Sequence, residues 1–213
     1  MFKFKELLQL LVIIAVELPL EILGYIIVPI ALAFCNKQSE HLPKWARYFE
    51  DASDLYDGEN SAINGDSGWR KDHYPNGKNR TYFARLLWLY RNRIGYFSSR
   101  VNGVKVSEID PSSVRAQGNI KVASNGGAVS DFCKVTLKLK DGRTRFGLFK
   151  TIRYKGFLSG FYCRIYVGWK LMDVAEMNEY NKAAFMQPDN KAFLKSVWCV
   201  NPFKRVRSNN AKS

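Results

Sequence analysis

The sequence predicts an α+β protein: an N-terminal hydrophobic membrane helix, kinked or folded as a hairpin, then a short amphipathic helix and a small, mainly antiparallel β domain. Three observations predict it. Residues 7–34 are almost continuously apolar, a helical period of apolar residues begins at Tyr82, and two runs between 132 and 170 alternate apolar with polar residues. On these features the 213 residues divide into a membrane-inserting segment (1–36), an interfacial aromatic stretch with an acidic Gly/Asp loop (37–80), and a helix plus basic β domain ending in a frayed basic C-terminus (81–213).

The apolar run LLQLLVIIAVELPLEILGYIIVPIALAF would be about 42 Å long as a helix. A bilayer core needs about 20 residues, so a single span would have to tilt. Glu17 and Glu21 stand at i, i+4 and share one helical face, with Pro19 between them removing a backbone hydrogen bond. A charge at mid-bilayer costs on the order of 3 kcal/mol. The two carboxylates therefore mark a bend near an interface, or a contact with a partner, a second protomer or water. A tilted span and a re-entrant hairpin both fit. A cleaved signal is disfavoured by the length of the run and by Phe34, which precedes Cys35 where a lipoprotein signal needs a small residue. Cations on both flanks, Lys3 and Lys5 before and Lys37, Lys44 and Arg47 after, suit a hairpin better than a span.

After the apolar run, Trp45, Tyr48 and Phe49 alternate with Lys44 and Arg47, the composition of a segment at the headgroup level. The acidic loop that follows holds Asp51, Asp54, Asp57, Glu59 and Asp66. It fails the calcium-loop test, because Ala62 and Gly68 stand where Gly and Glu are required. A solvated turn is the simpler reading, and no metal or cofactor is expected. Thr81 is a candidate N-cap for the helix TYFARLLWLYRNRIGY, which Gly95 should end.

The β domain reads as strands at GVKVSEID, GNIKVAS, DFCKVTLKLK, RTRFGLFKTIRYKG, FYCRIYVGWKL and FLKSVWCV, with Asp141-Gly142 as a hairpin turn. Cys133, Val135, Leu137 and Leu139 form a core face, as do Cys163, Ile165, Val167 and Trp169. Lys134, Lys138, Lys140, Arg164 and Lys170 are assigned to an opposite, anion-binding face. Residues 132–170 contain ten basic residues and one acid, Asp141. Solvated faces usually mix signs. The whole surplus of positive charge lies downstream, with 24 basic and eight acidic residues in 81–213. It favours an anionic partner, the bilayer's acidic headgroups or nucleic acid, beside a homo-oligomer or another membrane protein.

Four widely spaced cysteines without a C-x-x-C pair read as reduced, which points to a domain in the cytosol. The two histidines, His41 and His73, lack zinc-like spacing, and no nucleophile elbow, phosphate loop or dinucleotide fingerprint is present.

The segments LPKWARYFED, NGDSGWR, RLLWLYRNRIGY, YCRIYVGWKL and CVNPFK together resemble an uncharacterised family of small tailed-bacteriophage and prophage proteins with a hydrophobic N-terminal segment. The resemblance covers about residues 40–203. It implies a phage origin and a bacterial host membrane and transfers no activity. The expectation is a non-enzymatic phage protein of the host inner membrane whose basic β domain docks on anionic lipid or a partner. A tethered nucleic-acid-binding protein is the alternative, and a metal-dependent hydrolase using the acidic loop is the third reading.

Overall fold

The computed structural model describes residues 3–52, 62–74, 80–123, 130–172, 174–175 and 193–206. Most of the acidic loop (Asp54, Asp57 and Glu59), the stretch Asn125-Gly126-Gly127, whose residues suit a turn, and the last seven residues of the basic C-terminus fall outside them. The fold is α+β, and it divides into two compact units: Ile14–Gly103, and Met1–Ile13 together with Val104–Ser213.

The alternatives for the apolar segment resolve to one continuous helix, α1 (Phe4–Ala33), which runs through Pro19 and Pro29. It is long and apolar enough to cross a membrane. A proline inside a helix leaves the carbonyl four residues earlier without its donor. For Pro29 that carbonyl belongs to Tyr25, and the Tyr90 hydroxyl donates to it at 3.2 Å. Tyr82 likewise donates to the Pro29 carbonyl at 3.0 Å.

The unit Ile14–Gly103 is helical. After α1 comes a 3₁₀ turn, Lys44–Phe49, then α2 (Ser67–His73), α3 (Tyr82–Asn92) and α4 (Gly95–Arg100). Thr81 caps α3 as its sequence position predicts, accepting from the Ala84 amide at 3.2 Å. Asp66 caps α2 through the Trp69 amide at 2.6 Å, so this acid serves a helix end. The helix expected to reach Gly95 stops earlier. Ile94 is left-handed at φ 55° and starts α4. A β-branched residue is strained there, and burial of its side chain in the core offsets the strain. That core joins Val28, Ala31 and Leu32 of α1 to Leu42, Phe49, Ile63, Trp88 and Leu89. Because α3 packs through Trp88 and Leu89, it belongs to this helical unit and not to the β unit that the sequence grouping gave it.

The other unit is a five-stranded antiparallel sheet in the order β2-β3-β4-β5-β7, with a separate pair β1-β6. The strands are β1 (Val104–Lys105), β2 (Ile109–Gly118), β3 (Phe132–Leu139), β4 (Thr144–Arg153), β5 (Phe161–Trp169), β6 (Phe193–Leu194) and β7 (Ser196–Arg205). Three expectations change. GVKVSEID is interrupted by a 3₁₀ turn at Val106–Glu108. In GNIKVAS, Asn119 bends the chain by accepting from the Lys121 amide at 3.0 Å, and Ile120–Ala123 become 3₁₀. The tail expected to fray is ordered as far as Arg205, which pairs with Phe161 of β5.

Candidate functional site

Helix α1 repays a residue-by-residue reading: Lys5 is exposed at its start, and its three glutamates are on the side that packs. In the helical unit, Glu17 is only 2% exposed. Its Oε1 accepts from the Asn102 side-chain amide at 3.0 Å. Glu21 takes the Arg93 guanidinium at 3.3 Å, and that guanidinium lies over the Tyr25 ring, 4.3 Å from its centroid. One turn on, Gly24 brings the α1 backbone close to Phe49 and Arg93. Leu20, Val28, Ala31 and Leu32 complete this packed stripe.

In the β unit the first turns of α1 do the same. Glu6 receives the Lys134 ammonium at 2.7 Å, with both side chains about nine-tenths buried. Gln9 donates to the Thr144 carbonyl at 2.8 Å, and Ile13 joins the core of the sheet with Leu10 against it. Two grooves border these turns. One, of about 790 Å³, is lined by Lys3, Lys5, Arg115 and Lys138 with Ser112 and Ser113. The other, of about 630 Å³, is mainly apolar and is lined by Leu10, Phe132, Leu148, Ile165 and Val167.

Beyond Lys5, the remaining surface of α1 is mainly apolar. Twelve large hydrophobic side chains between Phe4 and Ile30 are exposed, among them Leu8, Leu11, Val16, Ile22 and Ile26. Taking each as roughly half exposed, removing them from water would be worth on the order of 10 kcal/mol. Contiguous apolar surface of this extent marks an interaction site or a membrane contact. The usual amphipathic arrangement is inverted here, with charges inward and oil outward.

A second polar feature lies inside the helical unit. Arg85 is 3% exposed. Its guanidinium donates to Asn64 Oδ1 at 2.7 Å and to the carbonyls of Asn36, Lys37 and Ser39 at 2.7–3.1 Å. It thereby fastens the chain that leaves α1. Glu50 is also buried, accepting from the Leu42 amide at 2.8 Å and contacting His41 Nδ1 at 2.8 Å. Burial raises the Glu50 pKa, against the opposing hydrogen bond from His41. His73 stacks on Trp69 with centroids 3.6 Å apart. These contacts satisfy buried groups and position loops. Among the described residues no three His, Cys, Asp or Glu side chains converge as metal ligands.

A family model, described as a family of unknown function (DUF7338), matches residues 1–208. The chain belongs to DUF7338. No curated protein and no solved structure matches it.

For this DUF7338 chain, the interfacial set divides. Lys44, Trp45, Arg47 and Tyr48 are exposed, whereas Phe49 is a core residue. The 3₁₀ turn puts Ala46 and Phe49, three apart, on one inward edge. The anion-binding set also divides. Lys134 pairs with Leu148 and Leu148 with Val167, while Arg164 pairs with Thr151. Side chains alternate faces along a strand, so this register puts Lys134 and Lys138 on one face of the sheet and Arg164 on the other. Lys134 is engaged with Glu6, and Lys140 donates to the Ser107 carbonyl at 2.7 Å. Arg164 contacts the Cys199 sulfur at 3.6 Å. Of this set, Lys138 lines the cationic groove, together with Lys3 and Lys5, which the sequence reading took only as flanking charges, and Arg115 and Arg145, which it did not single out. Phe157, 94% exposed at the tip between β4 and β5, was also left out. A lone aromatic between Gly156 and Leu158 carries no periodic signal.

Proposed function

We propose that this protein is a non-enzymatic membrane protein of tailed-phage origin, held at the cytoplasmic face of the host inner membrane. Helix α1 lies in the plane of the interface, and the basic β unit docks on anionic lipid or on a membrane partner. One observation carries this reading: Glu6, Glu17 and Glu21 all turn inward to partners, while beyond Lys5 the outward surface of α1 is apolar. Placing α1 across the bilayer would carry Lys134, Asn102 and Arg93 towards hydrocarbon, where charged groups are costly. An interfacial placement leaves those pairs with their units and buries the exposed leucines and isoleucines. The phage origin draws on the resemblance of the LPKWARYFED, NGDSGWR and YCRIYVGWKL segments.

The test is topology. With a tag at each end of the chain in a bacterial host, both tags should resist protease in spheroplasts and be cleaved in inverted membrane vesicles. Cleavage of one tag in spheroplasts would establish a span and overturn the in-plane reading. A protein that partitions wholly to the soluble fraction would overturn membrane association itself. The rival reading, a tethered nucleic-acid-binding protein, draws on the 24 basic residues against eight acidic ones in 81–213. Steeply salt-dependent DNA binding without vesicle binding would select it.

A further inference from the structure

The geometry points to a built site for the phosphate of an anionic phospholipid, in the groove beside the first turns of α1. This rests on the membrane reading above and adds where the lipid is held and by which residues. Lys3 and Lys5 come from the start of the helix, Arg115 from β2 and Lys138 from β3, and all four are exposed and line one groove with the Ser112 and Ser113 hydroxyls. Register fixes the last two on a common face: Arg115 pairs with Thr136, two residues from Lys138.

The acids at this groove are already engaged. Glu6 accepts from Lys134 and from the Lys3 amide. Asp110 accepts from the Ser112 amide at 3.0 Å and from its hydroxyl at 2.7 Å. The Arg115 guanidinium is oriented by the Ser112 and Val114 carbonyls at 2.8 and 2.9 Å. It is thus held in place without a carboxylate of the described residues on it at hydrogen-bonding distance. Charge complementarity selects an anion, and a guanidinium with three ammonium groups suits phosphate oxygens.

The helix selects a lipid as the source of that phosphate. The same turns that contribute Lys3 and Lys5 expose Phe4, Leu7, Leu8 and Leu11. A molecule with a phosphate in the groove and acyl chains beside α1 satisfies both features, and a free phosphate satisfies one.

The experiment uses the purified full chain and vesicles of phosphatidylcholine, alone or mixed with phosphatidylglycerol. Arg115→Gln with Lys138→Gln is compared with Arg143→Gln and Lys155→Gln, which remove equal charge outside the groove. The groove pair should lose about tenfold in affinity for the anionic vesicles and keep its binding to phosphatidylcholine, while the outside pair loses about threefold or less. Equal losses would mean diffuse attraction and overturn the site. Saturable binding of glycerol phosphate in the absence of vesicles, abolished by the groove pair, would assign the groove to a soluble phosphate compound and overturn the lipid assignment. If the native chain binds neither vesicle, the membrane reading fails first. Thermal unfolding of both pairs confirms that the comparison is between folded proteins.

Discussion

Two substitutions five residues apart on α1 should have opposite consequences. Ile22 is 59% exposed on the apolar side, and Glu17 is 2% exposed on the packed side. Fully burying an isoleucine is worth about 1.5–3 kcal/mol, so the exposed part of Ile22 contributes about 1–2 kcal/mol to membrane binding. A carboxylate in its place adds about 1–2 kcal/mol of unfavourable transfer near the interface. Ile22→Glu should therefore weaken partition into phosphatidylcholine vesicles by about 3 kcal/mol, or roughly a hundredfold. Its unfolding free energy in solution should stay within about 0.5 kcal/mol, as for most surface changes. Glu17→Leu reverses the pattern. It removes the acceptor of the Asn102 amide, which should cost about 1–3 kcal/mol of stability and leave partition nearly unchanged. Vesicle flotation and urea unfolding, run on both variants, give the four numbers. Partition of Ile22→Glu within about threefold of native, or partition of Glu17→Leu strengthened about a hundredfold, would refute the orientation of the helix.

Two further outcomes follow from the helical unit. Arg85→Ala should destabilise it by about 3 kcal/mol or more, because three carbonyls and Asn64 lose a buried donor; Arg85→Lys, lacking the planar fork, should not restore the unfolding midpoint. Glu50 has a native pKa raised above its ordinary 4.5 by burial. Its contribution is therefore fully present below about pH 4.5 and is lost as pH rises through the native value. Glu50→Gln should flatten that decline, and unfolding free energies measured from pH 4 upward would contradict this assignment if the slope were unchanged.

The strands were the most legible part of this chain, because alternation is local. Cys133, Val135, Leu137 and Leu139 announce their face, and Asp141-Gly142 announces the turn, where Gly142 adopts φ 86°. What alternation leaves open is which face of one strand aligns with which face of the next. That depends on register, and register separated Lys134 from Arg164. Glu17 and Glu21 were legible as anomalies in an apolar run. Their partners were not, since Asn102 and Arg93 lie 85 and 72 residues away. The cationic groove escaped notice for the same reason: Lys3 and Lys5 read as flanking charges, and Arg115 stands alone in its strand.

The β unit is assembled from the two ends of the described chain, with Ile14–Gly103 between them. A ribosome adding roughly 5–20 residues per second completes the first turns of α1 many seconds before it makes Lys134, the partner of Glu6. During that interval an apolar helix has emerged and its sheet does not yet exist. On the proposed membrane reading, its leucines and isoleucines would meet the bilayer before the β unit closes. On this account α1 cannot be treated as a detachable anchor. A chain begun after Ala33 would make its sheet without the Glu6 partner of Lys134 and its helical core without Val28, Ala31 and Leu32.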